Sequence, residues 1–254
     1  MINAILQSVT FEIKRSFTIA RAIVLAGISL IPSLLMLALQ LQARGRVPDE
    51  AIAVISYYMI IQVGCVLGLI LWATPTVGSE IEAQTWIYYS MRRHGKTALL
   101  VSKYSVAILW SCCAAFVSCM LMTMASQYPD PLRFFAVLFM LSVIGSFAFA
   151  GLYSLIGVVF IRRSLVFAAV YSLVVEVLIA NVPVTIGKIT VGYRLRSLMV
   201  QLLDLNRIQE GLNQIYGEES IVWHLCFLAV YTVVACCLAL YIANTKEYSI
   251  AVEA

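Results

Sequence analysis

The sequence predicts an all-α integral membrane protein that crosses the bilayer six times. Hydrophobic residues make up 62% of the chain and charged residues 12%, whereas soluble domains have about 25% charged residues. Six apolar runs are each long enough to cross about 30 Å of hydrocarbon at 1.5 Å per residue, the fifth only just. Six spans and their connections use all 254 residues, so we expect one domain over residues 1–254. The predicted spans are 20–41, 51–74, 98–125, 134–160, 165–182 and 221–243.

Residues 1–19 predict a helix that lies along the membrane surface. Apolar side chains recur there at helical spacing, while Lys14 and Arg15 fall largely elsewhere. A basic start, a compact apolar core and a small-residue cleavage site are missing, so we do not expect a cleavable signal. The apolar positions are Ile2, Ile5, Leu6, Val9, Ile13 and Phe17.

A polar segment, residues 78–104, separates the second and third spans. It begins with Glu80 and Glu82, continues through aromatic and apolar residues, and ends in basic residues. Gly95-Lys96-Thr97 is similar to the end of a phosphate-binding loop, but Ser90 stands where that loop requires glycine. We therefore expect no ATP binding by this chain itself.

Basic residues predict that both termini and the polar segment are cytoplasmic. With six spans, the side that holds the termini carries ten Lys and Arg residues and the opposite side seven, and positive residues accumulate in cytoplasmic loops. The ten are Lys14, Arg15, Arg21, Arg92, Arg93, Lys96, Lys103, Arg162, Arg163 and Lys246.

The last external connection, the 183–220 segment, is too long for a bare hairpin loop. Apolar residues from Val191 to Leu205 keep helical spacing, which predicts a short amphipathic helix followed by a second piece around residues 206–216. One interpretation is a lid over the external end of a transport pathway. The other is an interfacial helix that only anchors the sixth span.

Glu176 is a carboxylate inside an apolar span, where a charge is costly. It is a candidate for the transport pathway, as a polar contact for substrate or a proton-linked switch. Alternatively, it reaches the interface or hydrogen-bonds neighbouring Ser or Tyr residues.

Motifs for catalysis are missing from the sequence. It has no Gly-x-Ser-x-Gly elbow and no His-Glu-x-x-His pair, and its seven cysteines lie in apolar runs without metal-site spacing. The net charge of +4 requires no nucleic-acid partner. We expect no enzyme activity, no metal and no cofactor.

The six spans and the polar segment resemble the membrane subunit of ATP-binding-cassette transporters of the type-2 permease family. In that family the loop after the second span reads Glu, Thr, a hydrophobic pair, Arg-Pro, Arg and later Lys-Tyr. Arg93 stands where proline is usual, and Lys96 replaces an arginine. The matching positions are Glu80 or Glu82, Thr85, Tyr89-Ser90, Arg92, Lys96 and Lys103-Tyr104.

The resemblance implies that the polar segment forms a cytoplasmic coupling helix docked on a separate nucleotide-binding ATPase subunit. The chain would be half of an exporter in the plasma or inner membrane, surrounded by membrane lipid and paired with a second permease subunit as a homo- or heterodimer. The alternative for the segment is an interfacial helix that only fixes topology. Alternatives for the chain are a stand-alone channel or secondary transporter, or a non-transporting assembly factor. The expected docking residues are Glu80, Glu82, Thr85, Trp86, Tyr89, Arg92, Arg93 and Lys96.

Overall fold

The computed structural model describes residues 2–43, 47–92, 94–181, 185–217, 219–246 and 248, and within these ranges it is helical without a β-strand. The α-helices are α1 (Ile2–Ser16), α2 (Ile19–Gln42), α3 (Asp49–Tyr57), α4 (Val66–Ala73), α5 (Gly78–Glu82), α6 (Trp86–Met91), α7 (Gly95–Ser126), α8 (Pro131–Val159), α9 (Ser164–Tyr171), α10 (Val191–Leu202), α11 (Asn206–Tyr216) and α12 (Ile221–Thr245). Two π-helical segments, Tyr58–Cys65 and Ser172–Leu178, continue α3 and α9. Two 3₁₀ turns, Ile179–Asn181 and Thr185–Ile189, precede α10.

Five of the helices are long and apolar enough to cross a membrane, which makes the chain a helical membrane protein. They are Ile19–Gln42, Asp49–Glu82, Gly95–Ser126, Pro131–Val159 and Ile221–Thr245. The predicted fifth span is shorter than expected, because the helix Ser164–Leu178 gives way to the 3₁₀ turn Ile179–Asn181. The long helices alone therefore do not establish a sixth crossing.

Helix α8 lies at the centre of the bundle and packs against α4, α7, α10 and α12. The aromatic side chains of Phe134, Phe149 and Tyr153 are fully buried along it. In contrast, α2 and α12 lie at the periphery, with only 17% of their most apolar stretches buried. Their remaining apolar surface suits contact with lipid rather than with water.

The C-terminal end of α4 touches α8 backbone to backbone. A Cβ atom at Gly157 would lie 2.0 Å from the carbonyl oxygen of Thr74, and one at Gly78 would lie 3.2 Å from that of Ile161. Gly157 therefore has to be glycine, since any side chain would overlap the backbone at Thr74.

The two π-helical segments meet inside the bundle. Gln62 of the first donates a hydrogen bond of 2.8 Å to the backbone carbonyl of Glu176 in the second. Single-turn π-helical insertions are frequent at functional sites. The two segments here are longer, at eight and seven residues, and this hydrogen bond joins them.

Helices α1 and α10 both have polar and apolar faces, but they differ in burial. Helix α1 packs along α7 and leaves Leu6 and Phe11 exposed, as is Phe17 just after it, which is compatible with the predicted interfacial position. Helix α10 is enclosed by α8, α12 and the neighbouring turns, and most of its residues are buried.

Candidate functional site

The polar segment folds into α5, α6 and the first turns of α7, and its turns have unusual backbone geometry. Gln84 (φ 57°) before α6 and His94 (φ 65°) after it adopt the left-handed conformation, which is uncommon for residues other than glycine. A Cβ atom at Gly95 would lie 2.2 Å from the carbonyl oxygen of Tyr89. The path of the chain around α6 is therefore tightly fixed.

Glu80 lies inside the polar segment rather than on its surface. Its side chain is 1% exposed, and its Oε1 atom lies 2.6 Å from Lys103 Nζ and 3.2 Å from Arg15 Nη1. The Thr85 hydroxyl also donates to this carboxylate, and Lys103 donates to the Ser79 hydroxyl at 2.8 Å. Glu80 and Thr85 thus hold α1, α5 and α7 together, and neither presents its main polar contact outward.

Trp86 anchors α6 to the bundle. It is 3% exposed, and its ring meets that of Tyr248 edge to face at 5.1 Å between centroids. Lys96 Nζ lies 5.9 Å from the Trp86 ring centroid, within cation–π range. Trp86 and Lys96 therefore serve the internal packing of the segment.

The outward face of α6 combines predicted and unpredicted residues. Glu82 and Arg92 are exposed and Tyr89 is half-buried, whereas Arg93 lies outside the described residues. The most exposed apolar side chains are Met91 (79%) and Tyr88 (69%), neither of which sequence reasoning had selected. At about 100° per residue both lie on the side of α6 opposite Trp86, so identifying the buried tryptophan would have revealed them.

A cleft of about 590 Å³ separates α1 from α6. Phe11 and Arg15 line it from α1, and Tyr88, Tyr89 and Arg92 from the polar segment. The exposed face of α6 and this cleft share Tyr88 and Arg92, and together they present aromatic and basic side chains. Such a composition is typical of the anchoring residues of protein interfaces.

Glu176 binds the start of α10. Its carboxylate is buried, with the residue 1% exposed, and its Oε2 atom accepts a 2.7 Å hydrogen bond from the backbone N–H of Gly192. The Tyr171 hydroxyl donates to Oε1 at 3.3 Å, and the Tyr57 hydroxyl donates to the Gly192 carbonyl at 2.7 Å. A carboxylate at a helix N-terminus complements the helix dipole, which explains how the charge is accommodated in an apolar span.

A second cluster holds the other side of α10. Arg194 lies on α10, which the sequence predicts to be amphipathic, but its residue is only 4% exposed and forms an ion pair with Glu219. Its guanidinium lies 3.1 Å from His224 Nδ1 and 4.5 Å from the Phe227 ring centroid. Lys188 Nζ reaches Glu219 at 2.8 Å. Partial burial would raise the pKa of the Glu219 carboxyl, but the Lys188 hydrogen bond and the Arg194 and Lys188 charges outweigh it and lower that pKa.

Metal ligands do not gather in the described part of the chain, where no group of three or more His, Cys, Asp or Glu side chains could hold an ion. Comparison with known proteins adds no assignment. A scan against protein-family models gave no match, and a search of curated proteins found no similar sequence. Function therefore has to be argued from the two sites themselves.

Proposed function

We propose that this chain is the permease subunit of an ATP-driven ABC exporter, with α6 as the coupling helix. The observation that carries the proposal is the contrast within the polar segment. Tyr88 and Met91 are strongly exposed, while Glu80 and Trp86 root the same segment in the bundle. Exposed apolar and aromatic residues on a rigid support, beside Glu82 and Arg92, suit docking by a partner protein.

The internal contacts of the polar segment would transmit force from the docked ATPase. Glu80 connects to Arg15 in α1 and to Lys103 in α7. Movement of α6 would therefore pull on both helices together rather than bend a loop. In this proposal the partner subunit binds the nucleotide, and this chain supplies the helices that move in response, α6 together with α1 and α7.

The proposed transporter is a dimer of two six-span permease halves surrounded by membrane lipid, with both termini in the cytoplasm. The helix Ser164–Leu178 and the turn Ile179–Asn181 would form the short fifth crossing. Helix α10 would then cover the external end of the pathway as a lid. Glu176 belongs to that pathway as the residue that holds the lid at Gly192.

Purification from native membrane tests the docking assignment. We expect an ATPase with a phosphate-binding loop to co-purify with the wild-type chain, and the double variant Tyr88→Ala/Met91→Ala to lose it by about tenfold or more, as interface anchors do. Leu132→Ala is the matched control. Leu132 is 78% exposed at the start of α8, whereas the polar segment lies near the end of that helix, at Gly157. Equal ATPase recovery with the double variant would contradict the assignment of α6.

A stand-alone channel or secondary transporter is the second candidate, and the buried carboxyl group of Glu176 favours it, since ionisable side chains within spans mark ion pathways. Reconstitution of the purified chain in liposomes separates the candidates. The ABC proposal predicts no flux of ions or protons without the ATPase. Flux that Glu176→Gln abolishes would instead support the second candidate.

A further inference from the structure

The residues that follow α12 pack against the base of α6. Helix α12 ends at Thr245, and Lys246 after it has an extended backbone conformation. Tyr248 is half-buried, and its ring meets Trp86, the residue that anchors α6 to the bundle, edge to face at 5.1 Å between centroids. We refer to Lys246 and Tyr248 as the C-terminal tail. This contact is separate from the ion pairs of Glu80.

The C-terminal tail also caps the end of the central helix α8. Lys246 Nζ donates to the backbone carbonyl of Val159 at 3.1 Å, and the Tyr248 hydroxyl donates to that of Val158 at 3.3 Å. Carbonyl groups in the last turn of a helix have no donor within that helix, and a basic side chain there complements the helix dipole. The tail therefore binds α8 and α6 at the same time.

Tyr248 can make both contacts because it has an apolar ring and a polar tip. Edge-to-face pairs are favourable at about 4.5–7 Å between centroids, a range that includes its distance from Trp86. Burial raises the pKa of Tyr248 to about 12, so its hydroxyl keeps the proton that it donates to Val158. Phenylalanine at this position would keep the contact with Trp86 and lose the hydrogen bond to Val158.

The apolar cluster around Trp86 joins α6 to three long helices. Tyr248 packs against this cluster from outside, whereas the members of the cluster are buried. Helices α7, α8 and α12 each contribute to it, so a displacement of Trp86 would disturb all three. The buried members are Val77, Trp86, Leu99, Leu100, Val158 and Ala243.

We propose that Tyr248 is a positioning residue for α6, and that it connects α6 to the ends of α8 and α12. Glu80 connects the start of the polar segment to α1 and α7. Tyr248 would provide a second route, by which movement of α6 reaches the central helix without passing through Glu80. This transmission rests on the proposed function, whereas the hold of Tyr248 on α6 requires no ATPase.

Hydrogen exchange of the full-length chain tests the hold on α6, because exchange reports local opening. Tyr248→Ala should raise the exchange rate of the amides in Trp86–Met91 by about tenfold, the equivalent of one aromatic pair. Exchange in α2 and α10 should stay unchanged. An unchanged rate in α6 would overturn the proposal, and an equal rise in all three helices would show that Tyr248 only stabilises the bundle as a whole.

Two further variants separate the ring of Tyr248 from its hydroxyl and from its position in the chain. Tyr248→Phe should leave exchange in α6 close to that of the wild type and affect only the last turn of α8. Tyr241→Ala is the matched control, since Tyr241 lies on α12 and is 67% exposed. Equal rises in α6 for Tyr241→Ala and Tyr248→Ala would refute the assignment of Tyr248.

Addition of ATP to the chain in complex with its co-purifying ATPase tests the transmission. In the wild type we expect ATP to change the exchange of the last turn of α12 and of α1. Tyr248→Ala should abolish the change in α12 and preserve that in α1, which Glu80 contacts through Arg15. A change in α12 that survives Tyr248→Ala would overturn the second route.

The two experiments allow the positioning role and the proposed function to fail separately. If no ATPase co-purifies, the transport function and the second route both fail, while a tenfold change in the chain alone would still establish that Tyr248 holds α6. If an ATPase co-purifies and Tyr248→Ala leaves exchange in α6 unchanged, the positioning role fails and the transport function stands.

Discussion

The polar segment and the 183–220 segment are each organised around one buried glutamate, but the partners of the two glutamates differ. Glu80 is neutralised by charged side chains, Lys103 and Arg15. Glu176 accepts from neutral groups, the Gly192 backbone N–H and the Tyr171 hydroxyl. The first arrangement ties separate helices together, and the second fixes the start of one helix.

This difference matches what each segment exposes. The ion pairs of Glu80 leave the outer face of α6 uncovered, with Tyr88 and Met91 as its most exposed apolar residues. The hydrogen bonds of Glu176 hold α10 within the bundle, where even Arg194 is buried. A glutamate inside a membrane protein can therefore support either an exposed surface or an enclosed element, and its partners indicate which.

Removal of Glu80 should have the largest effect. Glu80→Ala leaves the mostly buried ammonium of Lys103 without its carboxylate, and breaking such a pair costs about 3–5 kcal/mol of unfolding free energy. Adding Lys103→Met should recover part of that loss, because the unpaired charge is removed too. A thiol-reactive dye that reports exposure of buried Cys65 and Cys119 during heating would measure the loss of stability and its partial recovery.

The control for this prediction is Glu82→Ala, since Glu82 is exposed in the same segment. It should change the unfolding free energy by no more than about 0.5 kcal/mol. Equal losses for Glu80→Ala and Glu82→Ala would show that the ion pairs of Glu80 are not what holds the segment.

Alanine at one glycine of each segment should give smaller and unequal effects. Gly95→Ala places its Cβ 2.2 Å from the Tyr89 carbonyl oxygen, so backbone has to move, at about 1–3 kcal/mol. Gly192→Ala meets the Glu176 carboxylate at 2.9 Å, a side chain that can shift at about 1 kcal/mol, the value of one hydrogen bond.

Gly27→Ala provides the reference for both glycine variants, because nothing lies within 4 Å of its Cβ position. Alanine there should stabilise α2 slightly, since alanine is the better helix former. Thermal unfolding of the three variants ranks their effects on stability. A larger loss for Gly192→Ala than for Gly95→Ala would reverse our comparison of the two segments.

The smallest expected effect is a pH dependence of the 183–220 segment. Because Lys188 and Arg194 lower the pKa of Glu219 in the folded protein, its charge stabilises the fold at pH values above the usual 4.5. That contribution disappears as the pH falls through the lowered pKa. His224 also faces Glu219, with Nδ1 at 3.7 Å.

Glu219→Gln tests the pH dependence. The difference in melting temperature between wild type and variant should be present at pH 6 and shrink below about pH 4.5. A difference that grows on acidification would mean that the pKa of Glu219 is raised rather than lowered.

Hydrophobic run length predicted most of the fold. Five of the six predicted spans correspond to long apolar helices, because the cost of exposing backbone in a bilayer leaves few alternatives to a helix. The π-helical segments were not predictable, since a shift from i+4 to i+5 hydrogen bonding changes no feature of composition. The sequence predicted a fifth span that is only just long enough, and its helix Ser164–Leu178 is followed by the 3₁₀ turn Ile179–Asn181.

Within the candidate site, the sequence predicted the position of the polar segment but not the orientation of its side chains. Glu80 pairs with Lys103, 23 residues away on another helix, and spacing within one helix cannot reveal such a contact. Trp86 was expected to face a partner, yet it packs inside against Tyr248. The docking role itself stays a prediction for all eight residues.

The contact of Gly157 with Thr74 limits how the polar segment can move. Two backbones already in contact can neither be pressed closer nor interdigitate through side chains. The backbone between α4 and α5 is therefore held in place at Thr74, only a few residues before Glu80. In the proposed coupling, α6 would turn about Gly157 when the ATPase moves, so that a small displacement of Tyr88 and Met91 would rotate the adjoining helix α4.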